Sequence, residues 1–230
     1  MTAKAIDSWW TVLFVDPYAT RIAPRLARIE AVTPIRITAL AHLLGVVSAV
    51  LFATDHLLAG AIVFECRFAT DCMDGKVARA TGRTSVLGRE LDALGDLVLV
   101  SANLGALALA RADSPAGYVV ATVLVGVYLA SFHLHEVRAR LLAEAGRPAF
   151  VEDVVRTSYG AFMAERRLYP MPSSVDLEHL ALVIGPLLLA VGIDVVDATL
   201  ICAAGFFALQ ALRYLVAGLR IASTLDRGPV

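Results

Sequence analysis

Six apolar stretches dominate this 230-residue chain, and each is close to the length of a membrane-spanning helix. A helix needs about 20 mostly apolar residues to cross the hydrocarbon core of a bilayer. Because lipid cannot hydrogen-bond the backbone, such a stretch has to be helical. The stretches run approximately over residues 35–54, 57–78, 88–110, 115–137, 177–193 and 197–219. The sequence therefore predicts an all-α integral membrane protein with six transmembrane helices.

The composition supports this assignment and argues against a soluble domain. Hydrophobic residues make up 58% of the chain and charged residues only 18%. Typical soluble domains are about half apolar and about a quarter charged. The net charge of -1 says little about partners, because the positions of the charges matter more than their sum.

Residues 1–33 are too polar to span a membrane. A tryptophan pair, Trp9 and Trp10, is followed there by several arginines. Aromatic and basic residues together are typical of a helix that lies among the lipid headgroups. We expect an N-terminal interfacial amphipathic helix in this segment, followed by a six-span membrane domain over residues 34–230. A second short interfacial helix is predicted over residues 149–168.

Lysine and arginine residues are distributed unevenly between the predicted loops. If the N-terminus is cytoplasmic, the three loops on the opposite side contain only Arg111, and the others lie on the cytoplasmic side, apart from Arg67 and Arg213 within the spans. Membrane proteins accumulate positive residues on their cytoplasmic side. We therefore expect a multi-pass protein of a bacterial-type cytoplasmic membrane, with both termini in the cytoplasm.

Four aspartates lie where the second predicted span ends and the third begins. Asp71 and Asp74 are three residues apart, and Asp92 and Asp96 are four apart, so each pair occupies one face of a helix. Carboxylates are costly at membrane depth and mark functional sites. Facing pairs of oxygen ligands suit a hard divalent cation. The pattern predicts a metal site at the cytoplasmic boundary, and the alternative is a solvated loop that caps two helices.

The residues beside the aspartates suit the handling of a phosphate. Gly75 and Gly88 allow a ligand or backbone to approach closely, and Arg79 is a fixed cation that fits a phosphate oxygen. A divalent metal can screen a pyrophosphate, and a carboxylate can take the proton of an attacking hydroxyl. Together these features indicate phosphoryl-group transfer.

The same stretch carries a family resemblance. DxxDGxxAR begins at Asp71, eight residues follow, and GxxxDxxxD then ends at Asp96. This arrangement resembles the full signature of the CDP-alcohol phosphotransferase (CDP-alcohol phosphatidyltransferase) family. The signature covers 26 residues, 71–96, and every fixed position is present.

The resemblance implies an enzyme that moves a phosphoalcohol unit from a cytidine diphosphate donor to a hydroxyl and releases CMP. It implies a pair of Mg²⁺ or Mn²⁺ ions and a homodimer. Asp96 would be both a metal ligand and the base that activates the acceptor. The other metal ligands would be Asp71, Asp74 and Asp92. The donor's cytidine diphosphate group would be contacted by Gly75, Ala78, Arg79, Ser85 and Gly88.

One segment departs from the family pattern. The family enters its first span through a segment similar to TPNxLT that also touches the nucleotide, and here it reads TPIRIT from Thr33 to Thr38. Ile35 replaces the usual asparagine, so a hydrogen bond to the donor is lost at that position. Arg36 is the candidate residue to replace it.

Basic residues after the fourth span are candidates for binding the acceptor. Arg138 ends that span, His135 lies beside it, and Arg213 lies near the end of the sixth span. Guanidinium groups grip phosphate in a bidentate manner. The alternatives are that the arginines enforce topology, contact headgroups or snorkel, and that His135 packs.

These observations favour a phosphatidyltransferase that uses CDP-diacylglycerol and a small polar alcohol, with or without a phosphate, in phospholipid biosynthesis. The roles can also be reversed, with a soluble CDP-alcohol as donor and a lipid or polar acceptor. A divalent-cation transporter is a third hypothesis, but it predicts acidic residues spread across the membrane. We expect no nucleic-acid partner.

Overall fold

The computed structural model describes residues 4–147 and 157–226, and these residues form helices and turns without a sheet. The helices are α1 (Asp16–Leu26), α2 (Pro34–Ala53), α3 (Leu57–Thr81), α4 (Val86–Ala110), α5 (Pro115–Glu144), α6 (Ser158–Glu165), α7 (Ser174–His179), α8 (Gly185–Ala190) and α9 (Val196–Leu225). Short π-helical turns precede α1 and α8, at Thr11–Val15 and Leu180–Ile184. The all-α class is confirmed for the described residues.

Four of these helices, α2, α4, α5 and α9, are long and apolar enough to cross a membrane. Helix α3 is 25 residues long, but its charged side chains, which include Glu65, Arg67 and two aspartates, lower its hydropathy. The fifth predicted span is divided between α7 and α8. Pro186 has no N–H and cannot donate a hydrogen bond to the carbonyl four residues earlier. This missing bond explains why a π turn interrupts the segment. Six membrane crossings therefore stay a prediction.

The helices pack as a bundle around one principal core. Helix α2 lies against α3 and α4, and α5 lies against α4 and α9. The core includes Phe52, Phe64, Leu104, Leu124 and Phe207. Apolar side chains also cover the outer surface, which is the surface expected to face lipid.

The two ends of the bundle differ in charge. At one end Arg111 forms ion pairs with Asp194 (2.8 Å) and Asp197 (3.1 Å), which ties the loop after α4 to the loop before α9. The other end carries the four aspartates together with the turn between α3 and α4. A functional site is therefore positioned at one end of the bundle.

The N-terminal segment is folded onto the bundle. Helix α1 packs against α3, and Val15, Ala19 and Phe68 form a small core there. A helix is thus present within residues 1–33, and its position at the membrane interface stays a prediction. Helix α6 covers part of the helix predicted over residues 149–168, whereas residues 148–156 lie outside the described residues.

Candidate functional site

The turn between α3 and α4 brings the aspartates together. Gly82 ends α3 with a φ of 66°, a left-handed conformation that glycine adopts without strain. The chain reverses there, so Asp71 and Asp74 near the end of α3 face Asp92 and Asp96 in the first turns of α4. The predicted meeting of two acidic helix faces is therefore present in the fold.

Asp71, Asp74 and Asp92 form a compact carboxylate triad. One oxygen of each lies within 4.8 Å of the others. Oδ1 of Asp71 and Oδ1 of Asp92 are buried and have no hydrogen-bond partner among the described residues. Buried polar atoms without partners are costly, and hard cations prefer oxygen ligands. The triad therefore fits a divalent cation.

Thr38 on α2 supports the triad from a third helix. Its buried hydroxyl donates a hydrogen bond to Oδ2 of Asp74 and also lies 3.1 Å from the carbonyl of Pro34. Thr33, at the start of the same segment, caps α2 by accepting from the N–H of Arg36 (3.3 Å). The TPIRIT segment thus shapes the start of α2 and orients one carboxylate.

Asp96 is not one of the three residues of the triad, although it belongs to the same facing pair of helices. Its carboxylate accepts a hydrogen bond from Arg67, whose side chain is 2% exposed, whereas that of Asp96 is 38% exposed. Asp96 therefore lies between a buried cation and open space. Its roles as metal ligand and base stay predictions.

The residues predicted to contact the nucleotide surround the α3–α4 turn. A Cβ atom at Gly75 would lie 3.2 Å from Nη1 of Arg79, so the glycine leaves room for the guanidinium against α3. Ser85 caps α4 by accepting from the N–H of Gly88 (3.0 Å). Ala78 accepts from the N–H of Gly82 at the end of α3. Ser85, Gly88 and Ala78 therefore all have structural roles in the turn.

Arg36 lies at the edge of this region. Its Nη1 donates to the carbonyl of Ala31 (2.7 Å), and the neighbouring Ile35 is 49% exposed. In this conformation the guanidinium braces the start of α2. That Arg36 replaces the hydrogen bond which asparagine makes to the donor in the family stays a prediction.

A cavity of about 600 Å³ opens beside Asp96. Asp96 and Arg67 line it from one side, and the three acceptor candidates His135, Arg138 and Arg213 line it from α5 and α9. The guanidinium of Arg138 also lies over the ring of Tyr214, 5.9 Å from its centroid. Residues that are far apart in the sequence therefore meet around one space next to the predicted base.

A sequence profile of the CDP-alcohol phosphatidyltransferase family matches residues 31–191. The chain belongs to this family. The match confirms the resemblance carried by the aspartate signature, and it identifies the protein as a transferase of a membrane-protein family that uses divalent metals.

Two curated relatives are similar to part of this chain. The "Bifunctional IPC transferase and DIPP synthase" of Thermococcus kodakarensis is 34% identical over 128 residues, which cover 55% of this chain and 29% of the relative. The protein of the same name from Aquifex aeolicus is 38% identical over 91 residues, covering 40% and 21% respectively. The matches thus span less than a third of the length of these relatives.

A solved structure shares the fold. The phosphatidylinositol phosphate synthase of Mycobacterium tuberculosis, determined with CDP-DAG bound, aligns with a TM-score of 0.50 and 22% identity. The alignment covers 90% of this chain and 93% of that chain. Nearly the whole of this family member therefore follows a known architecture.

Sequence reasoning missed a buried polar floor in the cavity of this transferase. Glu178 is 6% exposed and lines the cavity, as do Tyr128 and Gln210. Gln210 accepts hydrogen bonds from Ser131 (2.8 Å) and Ser174 (2.9 Å). The rule that intramembrane carboxylates are functional also applies to Glu178, which lies inside the fifth predicted span.

Proposed function

We propose that the protein transfers a phosphatidyl group from CDP-diacylglycerol to the hydroxyl of a small, phosphorylated polar alcohol and releases CMP. The observation that carries this proposal is the cavity beside Asp96, which joins the predicted base to Arg138 and Arg213. Arginine binds phosphate through a planar, permanently charged group. Family membership supports the donor class, and the cationic cavity supports the acceptor class.

The carboxylate triad would hold Mg²⁺ or Mn²⁺. Asp71, Asp74 and Asp92 supply the oxygen ligands, and Asp96 would complete the set for a second ion. When bound, a divalent ion screens the charge of the donor pyrophosphate and stabilises the departing phosphate. Thr38 holds the carboxylate of Asp74 in place for this role.

Asp96 would take the proton of the acceptor hydroxyl. The acceptor oxygen forms a bond to the β-phosphorus of the donor, and the bond between that phosphorus and the oxygen of the CMP phosphate breaks. CMP leaves with the electron pair of the broken bond, and Asp96 retains the proton until the product departs. General-base catalysis of this kind contributes typically 10²–10⁴-fold to a rate.

Arg79, Gly75 and Ala78 would flank the cytidine diphosphate, with Ser85 and Gly88 shaping the turn below it. Arg138, His135 and Arg213 would bind the acceptor from the opposite side. The site would face the cytoplasm, where a soluble phosphorylated alcohol is available, while the lipid donor enters between helices. Homodimerisation is part of the proposal, on the basis of the family resemblance.

Measurement of CMP release over a panel of acceptors tests the proposal. The full-length protein in vesicles is supplied with Mg²⁺ and CDP-diacylglycerol, and then with inositol phosphate, glycerol phosphate, or their dephosphorylated forms. The proposal expects CMP release that depends on the acceptor and is fastest with a phosphorylated alcohol. Release only with a soluble CDP-alcohol donor would instead establish the reversed roles.

A further inference from the structure

The N-terminal segment of residues 4–10 forms a wall of the acceptor cavity. The N–H of Asp7 donates to the carbonyl of Arg167 (2.8 Å), and the N–H of Tyr169 donates to the carbonyl of Asp7 (3.1 Å). The indole N–H of Trp9 donates to the carbonyl of Tyr169 (2.7 Å). The segment is therefore paired, like a short parallel strand, with the connection that precedes α7.

Trp10 fixes the end of this segment to the bundle. Its backbone N–H donates to Oδ1 of Asp176 on α7 (2.7 Å), and its indole N–H donates to Oε2 of Glu65 on α3 (3.0 Å). Its indole also stacks on the ring of His179, with centroids 4.7 Å apart. The segment thus has a defined position relative to both helices.

A buried ion network fixes the start of the segment. Arg167 donates through Nε to the carbonyl of Lys4 (3.1 Å) and through Nη2 to Oδ2 of Asp16 (2.6 Å). Asp16, whose side chain is 5% exposed, also pairs with Lys76 on α3 (2.9 Å). The backbone of Lys4 is therefore held by a residue that is itself anchored to α1 and α3.

This anchoring places the Lys4 side chain in the lining of the cavity, together with Arg138, Arg147 and Arg213. Lys4 is exposed, and its ammonium forms no ion pair within the described part of the chain. We propose that Lys4 is a specificity-determining residue that binds the phosphate of an anionic acceptor from the N-terminal side of the cavity. This inference rests on the proposed phosphatidyl transfer and extends its acceptor site to a segment outside the family profile.

Cationic side chains outnumber the carboxylates in the same lining. The carboxylates are Asp7, Asp96 and Glu178, and the cations are Lys4, Arg67, Arg138, Arg147 and Arg213. Asp96 is paired with Arg67, and Glu178 is buried in the floor of the cavity. Lysine and arginine groups that line one cavity favour an anionic ligand such as a phosphate monoester.

Substitutions at Lys4 separate binding from structure. With saturating CDP-diacylglycerol, Lys4→Gln is expected to raise the KM for glycerol phosphate or inositol phosphate about tenfold, the effect of losing one charge-assisted hydrogen bond. In Lys4→Gln we expect no change in kcat, in the KM for the donor or in the KM for the dephosphorylated alcohol. Lys4→Arg should have the wild-type KM for the phosphorylated alcohol. Arg21→Gln, which removes an exposed charge on α1, is the matched control. An unchanged KM in Lys4→Gln, or an equal loss with both kinds of acceptor, overturns the inference.

Chemical labelling tests the inference without turnover. The chain contains two lysines, Lys4 and Lys76, and the latter is 4% exposed and serves as an internal check of folding. In neutral-lipid nanodiscs, glycerol phosphate should slow acylation of Lys4 severalfold, whereas glycerol should not. Equal acylation of Lys4 with and without glycerol phosphate overturns the inference. The inference is also overturned if Lys4 is protected by anionic lipid and not by glycerol phosphate. If the wild type releases no CMP but Lys4 is protected, the proposed function fails and the phosphate site stands.

Discussion

Thr38 links α2 to the proposed metal site. Its hydroxyl reaches the Asp74 carboxylate, and groups that orient a metal ligand typically change metal affinity by about 10–100-fold when removed. We expect Thr38→Val to raise the Mg²⁺ concentration needed for half-maximal CMP release by at least about tenfold. Thr122→Val is the matched control, because that hydroxyl bonds only to the carbonyl four residues earlier. Equal metal requirements in both variants would contradict the role assigned to Thr38.

Gly95 is a steric requirement next to the site. A methyl group at this position would overlap the ring of His42 on α2, so α2 and α4 can keep this packing only if that ring moves. Overpacking of this kind costs about 1–3 kcal/mol. Gly95→Ala should lower the thermal unfolding temperature, and His42→Ala in the same chain should restore part of it. Gly126→Ala, where a Cβ meets nothing within 4 Å, should have no such effect.

At the scale of elements, a charge network joins α1, α3 and the connection before α7. Burial alone raises the pKa of the Asp16 carboxyl, but hydrogen bonds and charges from Lys76 and Arg167 outweigh it and hold the pKa below the ordinary 3.8. A lowered folded-state pKa stabilises the fold above pH 3.8, and this contribution is lost as the pH falls through the lowered pKa.

The variant Asp16→Asn tests this network. It leaves Lys76 buried without its anion, so its unfolding temperature should lie several degrees below that of the wild type at pH 7. The difference should shrink when both proteins are measured at progressively lower pH, near and below pH 4. Asp113→Asn, in an exposed loop, should match the wild type throughout. A difference that does not change with pH would mean that the charge of Asp16 is not what matters.

The long helices could be predicted from the sequence, but the points at which a helix is interrupted could not. Runs of about 20 apolar residues defined α2, α4, α5 and α9 to within a few residues, apart from the C-terminal extensions of α5 and α9. The division of the fifth span depends on the single backbone N–H that Pro186 lacks within an otherwise apolar run. The cavity beside Asp96 depends on long-range packing between α5, α9 and residues 4–10, and the local periodicity of the sequence contains no signal for such packing.

At the scale of the whole molecule, phosphatidyl transfer to a soluble acceptor requires the aspartate end of the bundle to face the cytoplasm. Ser85 and Ser114 are matched probes, since each caps a helix by accepting from an N–H three residues later. They lie at opposite ends of α4. With the three native cysteines replaced by alanine, Ser85→Cys should react with a membrane-impermeant thiol reagent from the cytoplasmic side only. Ser114→Cys should react from the other side only, and labelling of both from one side would refute the orientation.

The most direct test of the central claim is the rate of CMP release by wild type and Asp96→Asn in the same vesicles. Both receive CDP-diacylglycerol, Mg²⁺ and a saturating phosphorylated alcohol, and divalent-cation flux is recorded in parallel. We expect CMP release by the wild type that requires both metal and acceptor, and a kcat about 10²–10⁴-fold lower in Asp96→Asn. Wild-type rates in Asp96→Asn, or cation flux with no CMP from any alcohol, would contradict the claim.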